Sequence, residues 1–331
     1  MKAVRNSSFE LLRIIMILMI LIEHGNMWYI GSGYASIAEH WAKCIIESIC
    51  IGAVNGFVLI SGWFGIKSKL TKIGDLMFMV LFCTIPLLIV AVAFNWLPIS
   101  KILSLSGVYE YVFGGNGYWF VIDYIGLLII APLLNKGIEY TNRRQFANIL
   151  IAGYILIGFF DFVMRESILG TTGGYSVLWM GYLYMLSRYM RIYGLKFVDR
   201  NRYLIFILSI ALQSCLFSYG LIGLRYTNPL ILLPAMSLIC IFKHWNFQNK
   251  GINIAAGGAL MAYLLHMQPI LIPYIRNFLI SRYENSGYWL YMVEMIGLSI
   301  GVYLIAILLN QLQAIIYKGL TNVSHRSNPD L

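Results

Sequence analysis

Charge is scarce in this chain. Of its 331 residues only 11% are Asp, Glu, Lys or Arg, against about a quarter in an ordinary soluble domain. Hydrophobic side chains make up 60% and the mean hydropathy is +0.75. That balance excludes a soluble globular domain and predicts an all-α, polytopic integral membrane protein. Long polar stretches are missing as well. The longest outward loop, about 97–117, carries Ser, Gly and Asn and ends in "GGNGYW"; the tail after Tyr317 is small and polar. No soluble catalytic domain is expected, so residues 1–331 read as a single transmembrane domain. Any chemistry falls to residues in or beside the bilayer.

Other absences narrow the class further. The five cysteines (Cys44, Cys50, Cys83, Cys215, Cys240) form no CxxC pair and no metal-ligand spacing, so buried structural thiols are expected and no metal site. The net charge of +10 invites a nucleic-acid reading, but the basic residues fall between oily segments rather than in one block, which argues against it. The first apolar run is too long for a signal peptide and lacks a small-residue cleavage site. No internal repeat is visible, nor an inverted pair of Gly/Pro-broken helices of the kind that marks many transporters.

What is present is a series of apolar runs. A spanning helix needs roughly 20 mostly apolar residues, and ten segments qualify: 10–30, 44–65, 74–96, 118–135, 145–163, 173–190, 203–220, 228–243, 254–276 and 288–316. Ten spans put both termini on one side. With the N-terminus cytoplasmic, 17 of the 24 Lys and Arg residues fall in inside segments, the bias expected of cytoplasmic loops. The 23 Tyr and 8 Trp suit the two membrane interfaces.

The first run, "ELLRIIMILMILIEH" (10–24), holds ionisable groups that an apolar helix would be cheaper without. Charge at the bilayer centre costs about 2.5–3.5 kcal/mol on insertion scales, so such residues are functional candidates. Glu10 and Arg13 are three apart and share a face. Arg13 and His24 are separated by close to three whole turns, so they also share a face, roughly 16 Å apart. A ligand reaching across half the bilayer would touch both. Snorkelling for Arg13 and an interhelical hydrogen bond for His24 are the plainer alternatives. "NGFVLISGWFGIKSK" (55–69) contributes Asn55 and Ser61 and then a basic turn with Lys67, Lys69 and, just beyond, Lys72. "GYWFVIDYIGLLIIAPLLN" (117–135) places Trp119 and Asp123 at the start of the fourth run. "MAYLLHMQPI" (261–270) places His266 in the ninth.

Taken together these stretches resemble acyltransferase family 3, the bacterial membrane O-acyltransferases. The likeness covers nearly the whole chain. Its most specific part is Arg13, ten residues, then His24, preceded by Glu10 in an E-x-x-R start. "FVLISG" (57–62), "YWF" (118–120) followed by Pro132, and "YLLH" (263–266) with Pro269 are similar to later signatures, in the right order. One departure is the loop after the second run, where many members have R-x-x-R; here it reads "KSKLTK", with Lys69 and Lys72 in that place. Lysine keeps the charge and loses the bidentate fork.

The resemblance implies an acyl group, usually acetyl, taken from cytoplasmic acyl-CoA and passed to a hydroxyl of a cell-surface or lipid-linked glycan. It implies His24 as general base or acyl carrier, and Arg13 on the phosphates or the thioester carbonyl. Glu10 would orient Arg13, and Lys67, Lys69 and Lys72 would attract the phosphates of acetyl-CoA. Asn55, Ser61, Trp119, Asp123 and His266 are the candidate substrate-side residues, with helix packing the alternative for Asp123 and His266. No bound cofactor is implied; acyl-CoA is a substrate. The expected setting is the cytoplasmic (inner) membrane, with the lipid bilayer, acyl-CoA and the glycan acceptor as partners and no nucleic acid. The likeness is closer to the stand-alone enzymes of capsule and exopolysaccharide than to relatives with an added esterase-like domain. A transporter or flippase using a His/Arg relay is the rival class, told apart by acyl-CoA binding; a glycan polymerase would usually carry a large outer loop.

Overall fold

A computed structural model describes residues 6–67, 70–165 and 169–327. It is 81% helical, and no strand occurs among the described residues. The expected all-α class is thus what the chain adopts. The main helices are α1 (Ser8–Glu23), α2 (Ile37–Cys50), α3 (Ala53–Phe64), α4 (Leu70–Ala93) and α5 (Trp119–Glu139). They continue with α6 (Arg143–Gly153), α7 (Val177–Tyr193), α8 (Arg202–Ser218), α9 (Pro229–Phe242), α10 (Ala259–His266) and α11 (Ile272–Ser327).

Local sequence explains several starts. Ser36 accepts a hydrogen bond from the Glu39 amide and caps α2. Asn142 and Gln145 form a reciprocal capping box at α6. Asn228 caps α9, whose first residue is Pro229, the position where a missing N–H costs nothing.

Among the described residues, five helical stretches are long and apolar enough to cross a membrane: Ile37–Phe64, Thr71–Ala93, Gly115–Glu139, Arg143–Met164 and Ile272–Leu320. Arg202–Ser218 and Pro229–Phe242 are apolar but shorter. The other expected spans correspond to shorter or interrupted helices.

Three boundaries differ from the sequence expectation. The run expected at 44–65 begins at Ile37 and turns at Ile51 and Gly52, so Lys43, placed in a loop by sequence, is fully buried in α2. The run expected at 254–276 is three pieces, Lys250–Ala256, α10 and the start of α11. Pro269, which has no N–H to offer a ladder, lies in the gap, and the Gln268 side chain accepts the Ile270 amide there instead. The last run starts sixteen residues early, and Gly287 interrupts its helical geometry at φ 69°. Arg282 and Glu294 pair across that interruption. Four cysteines are buried as expected, whereas Cys215 is exposed.

The core forms where α3 packs against α1, α7 and α9, and where α10 packs against α1 and α11. α3 and α7 approach closely at Gly62. A Cβ there would lie 2.5 Å from the Tyr184 carbonyl oxygen. On the far end of α9, Asp199 receives Lys243 at 2.8 Å and His244 at 2.9 Å. Burial works against its charge, but these hydrogen bonds outweigh it and hold the carboxyl below its usual value.

Candidate functional site

α1 is regular up to Glu23 and then opens into a π-helical turn, His24–Trp28. The Tyr29 amide reaches back to the His24 carbonyl at 2.9 Å. Such turns leave a carbonyl ladder out of step and recur at functional sites. Because the helix is regular over 8–23, Arg13 and His24 keep the common face that their spacing predicts.

That face lines a cavity of about 260 Å³. Arg13 and His24 both line it, together with Ser61, Trp119, Tyr124, Tyr226 and Tyr263. A second cavity of about 380 Å³ shares Arg13, Ser61, Leu76, Tyr124 and Leu260 with the first and extends to Lys72 and Asp75. The two therefore adjoin at Arg13, with the lysine-bearing turn beside one and His24 beside the other.

Arg13 Nη1 donates to Glu10 Oε1, and the Glu10 side chain is almost fully buried. The ion pair orients the guanidinium, and its remaining donors have no partner among the described residues. Ser61 donates to the Phe57 carbonyl at 3.1 Å and meets the Tyr124 hydroxyl at 3.1 Å.

Trp119 is held by a clasp. Tyr118 donates to the Leu264 carbonyl and Tyr263 donates to the Gly117 carbonyl, each at 2.7 Å. Gly114 makes the entry turn at φ 79°, where a Cβ would strike the Tyr118 ring at 2.0 Å. Trp119 packs against Tyr175 and Tyr226 with ring centroids 4.4 and 5.8 Å away. Asp161 pins the loops that carry these tyrosines. It accepts from Thr171 (2.8 Å), the Gly173 amide (3.1 Å) and Thr227 (2.7 Å).

His24 also has a partner that its position in sequence does not reveal. Its Nδ1 lies 3.0 Å from Nε2 of His266, at the end of α10. His266 faces away from the first cavity, into a cleft of about 470 Å³ that is apolar apart from this ring and a few hydroxyls. The two imidazoles thus stand between the two spaces. On its other side His24 Nε2 is 3.2 Å from Glu23 Oε2.

Behind Glu23 lies a buried polar network. Asn26 donates to Glu47 Oε1 and to the Lys43 carbonyl, each at 3.0 Å, and accepts from Tyr288 at 2.9 Å. Lys43 pairs with Glu39 at 3.1 Å.

Four of the sequence candidates, Arg13, His24, Ser61 and Trp119, therefore line one cavity. Glu10 supports Arg13, His266 contacts His24, and Lys72 lines the continuation. Others fall elsewhere. Asn55 is fully buried, receiving Trp179 Nε1 at 3.1 Å and donating to the Tyr226 carbonyl at 2.9 Å, so its amide is used within the protein. Asp123 lies outside the lining of both cavities. Lys67 is exposed on the turn, and Lys69 lies outside the described residues. Among the described residues no cluster of His, Cys, Asp or Glu is arranged to hold a metal ion.

The sequence reading did not single out Glu47. The signal was present: Glu39, Lys43 and Glu47 recur every four residues, a polar stripe on one face of α2. Starting that span at residue 44 hid it.

Fold and site define an all-helical protein with membrane-length apolar helices and a cavity bearing arginine and histidine. No protein-family model, curated protein or solved structure matches the chain.

Proposed function

We propose that this chain is a membrane O-acyltransferase of the acyltransferase family 3 type, with ten spans and both termini in the cytoplasm of a cell whose inner membrane it occupies. It moves an acyl group, acetyl above all, from cytoplasmic acyl-CoA to a hydroxyl of a surface or lipid-linked glycan. The observation that supports this reading is the cavity lined by both Arg13 and His24, which shares the Arg13 wall with a second one that reaches Lys72. A thioester entering past the lysines would bring its phosphates to cationic groups and its acyl end toward His24.

The step this geometry favours is direct transfer. The acceptor oxygen bonds to the thioester carbon while His24 takes its proton; the carbon–sulfur bond breaks, and the proton passes from His24 to the departing sulfur. Ester and free thiol are the products, and no other reactant is needed. A positioned base of this kind contributes about 10²–10⁴-fold. Arg13, fixed by Glu10, is placed to stabilise charge on the donor. Ser61 and Tyr124 offer hydroxyls midway, and Trp119 an aromatic face near the His24 end.

Mass spectrometry of the host's surface glycan tests the proposal. Wild type, a strain lacking the protein, and that strain rescued with His24→Ala are compared. The expected result is an acetyl mass increment in wild type alone. Rescue by His24→Ala would remove His24 from the chemistry. Identical glycan in all three strains would overturn the transferase in favour of a carrier, which needs no acyl-CoA.

A further inference from the structure

Arg188 and Arg191 lie one turn apart near the end of α7, on one face of that helix. Arg188 is half-buried. Its Nε is shut off from solvent and has no hydrogen-bond partner among the described residues, and no ion pair reaches its guanidinium there. Native structures seldom leave a buried donor without an acceptor. Arg191 is exposed, and its guanidinium lies 5.1 Å from the centroid of the Trp63 ring at the end of α3. Contact with a ring steadies the guanidinium and leaves its N–H groups for an acceptor.

Both cations stand against the turn that follows α3. Gly65 makes that turn at φ 77°, and a Cβ on it would lie 3.2 Å from Nη1 of Arg188. Gly65 also lines the cavity that holds Arg13 and Lys72, so only a residue without a side chain separates Arg188 from that space. The turn is clamped. The Tyr184 hydroxyl accepts from the Ile66 amide at 3.0 Å and donates to Asn135 Oδ1 at 2.6 Å, and Asn135 Nδ2 donates to the Ile66 carbonyl at 3.0 Å. Lys67 follows, exposed. Asp75, the acidic residue of the cavity lining, accepts from Tyr317 rather than from an arginine. Cations suit the C-terminal ends of α3 and α7 through the helix dipole. The dipole accounts for positive charge there, but not for a buried N–H that lacks an acceptor.

We propose that Arg188 and Arg191 hold the diphosphate of the acyl-CoA nucleotide beside this cavity, with Lys67 and Lys72 adding charge. This rests on the transferase reading. The arm that carries the thioester then runs past Gly65 toward Arg13 and His24. A diphosphate offers a set of oxygens to each guanidinium fork, whereas a headgroup with one phosphate serves only one of them.

Isothermal titration of coenzyme A itself, into the full chain in neutral phosphatidylcholine nanodiscs, reads the site without any acyl transfer. Wild type binds it. Arg188→Gln and Arg191→Gln, which keep a polar side chain in place, each weaken binding by roughly ten- to a hundredfold. Arg144→Gln, which removes an exposed cation in the first turn of α6, leaves it unchanged. Wild-type affinity in Arg188→Gln or in Arg191→Gln overturns the proposal. So does an equal loss in Arg144→Gln, because bulk charge would then be the cause. Phosphatidylglycerol added to the discs lowers affinity alike in wild type and variants; a loss confined to wild type would assign the arginines to lipid headgroups and overturn it. Kinetics separate the site from general damage. In both variants KM for acetyl-CoA rises with kcat unchanged, while kcat/KM for S-acetyl-pantetheine, the same arm without nucleotide or diphosphate, equals wild type. A parallel loss with both donors would mean disturbed packing and overturn the assignment. Coenzyme A held through Arg188 with no acyl transfer in wild type would defeat the transferase and keep the site. Equal binding by all chains, with transfer intact, would do the reverse, and absence of binding in wild type would defeat both.

Discussion

Arg13 is held through one donor by Glu10, and its other donors meet no partner among the described residues. Its bond to the buried Glu10 carboxylate fixes the plane of the guanidinium where two cavities join. A lysine at this position would keep a charge but could not bind Glu10 and a planar oxygen pair on a ligand together. Hydrogen bonds to charged groups contribute about 1.5–3 kcal/mol each. Arg13→Lys is therefore expected to lower kcat/KM for acyl-CoA by roughly ten- to hundredfold in a protein that still inserts and folds. Steady-state kinetics on purified protein check this. An unchanged kcat/KM would reduce Arg13 to a point charge serving topology.

Among elements, α1 shows why part of the site is legible in sequence. Helical periodicity alone places Arg13 and His24 on one face, and the regular helix over 8–23 preserves that relation. The partner of His24 is not legible, because His266 is 242 positions away and only tertiary packing joins them. The stripe to which Glu47 belongs was obscured for a different reason: hydropathy marks where a helix becomes apolar, not where it begins, so Glu39 and Lys43, which pair within α2, fell outside the expected run. The break around Pro269 was visible as a proline but not as a boundary, since the apolar run continues on both sides. Asn55 shows the converse error, a polar residue in a span that serves packing rather than a ligand. Packing of α3 on α7 gives the prediction at this scale. A methyl at Gly62 would meet backbone atoms of Tyr184 at 2.5 and 3.0 Å, and backbone yields less easily than a flexible side chain. Gly62→Ala is expected to destabilise the protein by about 1–3 kcal/mol, seen as a lower thermal midpoint in detergent. A midpoint equal to wild type would mean that the two helices separate without cost.

For the molecule as a whole, sidedness decides whether the cavity can serve the proposed reaction. In the proposed reaction the donor is cytoplasmic, which requires the turn that carries Lys67 and leads to Lys72 to face the cytoplasm and the segment 97–117 to face outward. The 17 Lys and Arg residues that the ten-span reading places inside favour that orientation; within the protein, Lys72 lines the cavity at the Arg13 end and Trp119 lines the one with His24. Reversal would leave His24 on the side of the donor and Arg13 on the side of the acceptor, which the proposed chemistry does not accommodate. Reporter cysteines test this. Leu105 is 90% exposed and lies in the segment expected to face outward, while Lys67 is exposed on the turn expected to face inward. The one exposed native thiol, Cys215, is first changed to Ser, and the four buried cysteines are left in place. A charged, membrane-impermeant maleimide applied to intact cells should then label Leu105→Cys and spare Lys67→Cys, with both labelled once the membrane is opened. Labelling of Lys67→Cys in intact cells would invert the molecule and with it the path from acyl-CoA to His24.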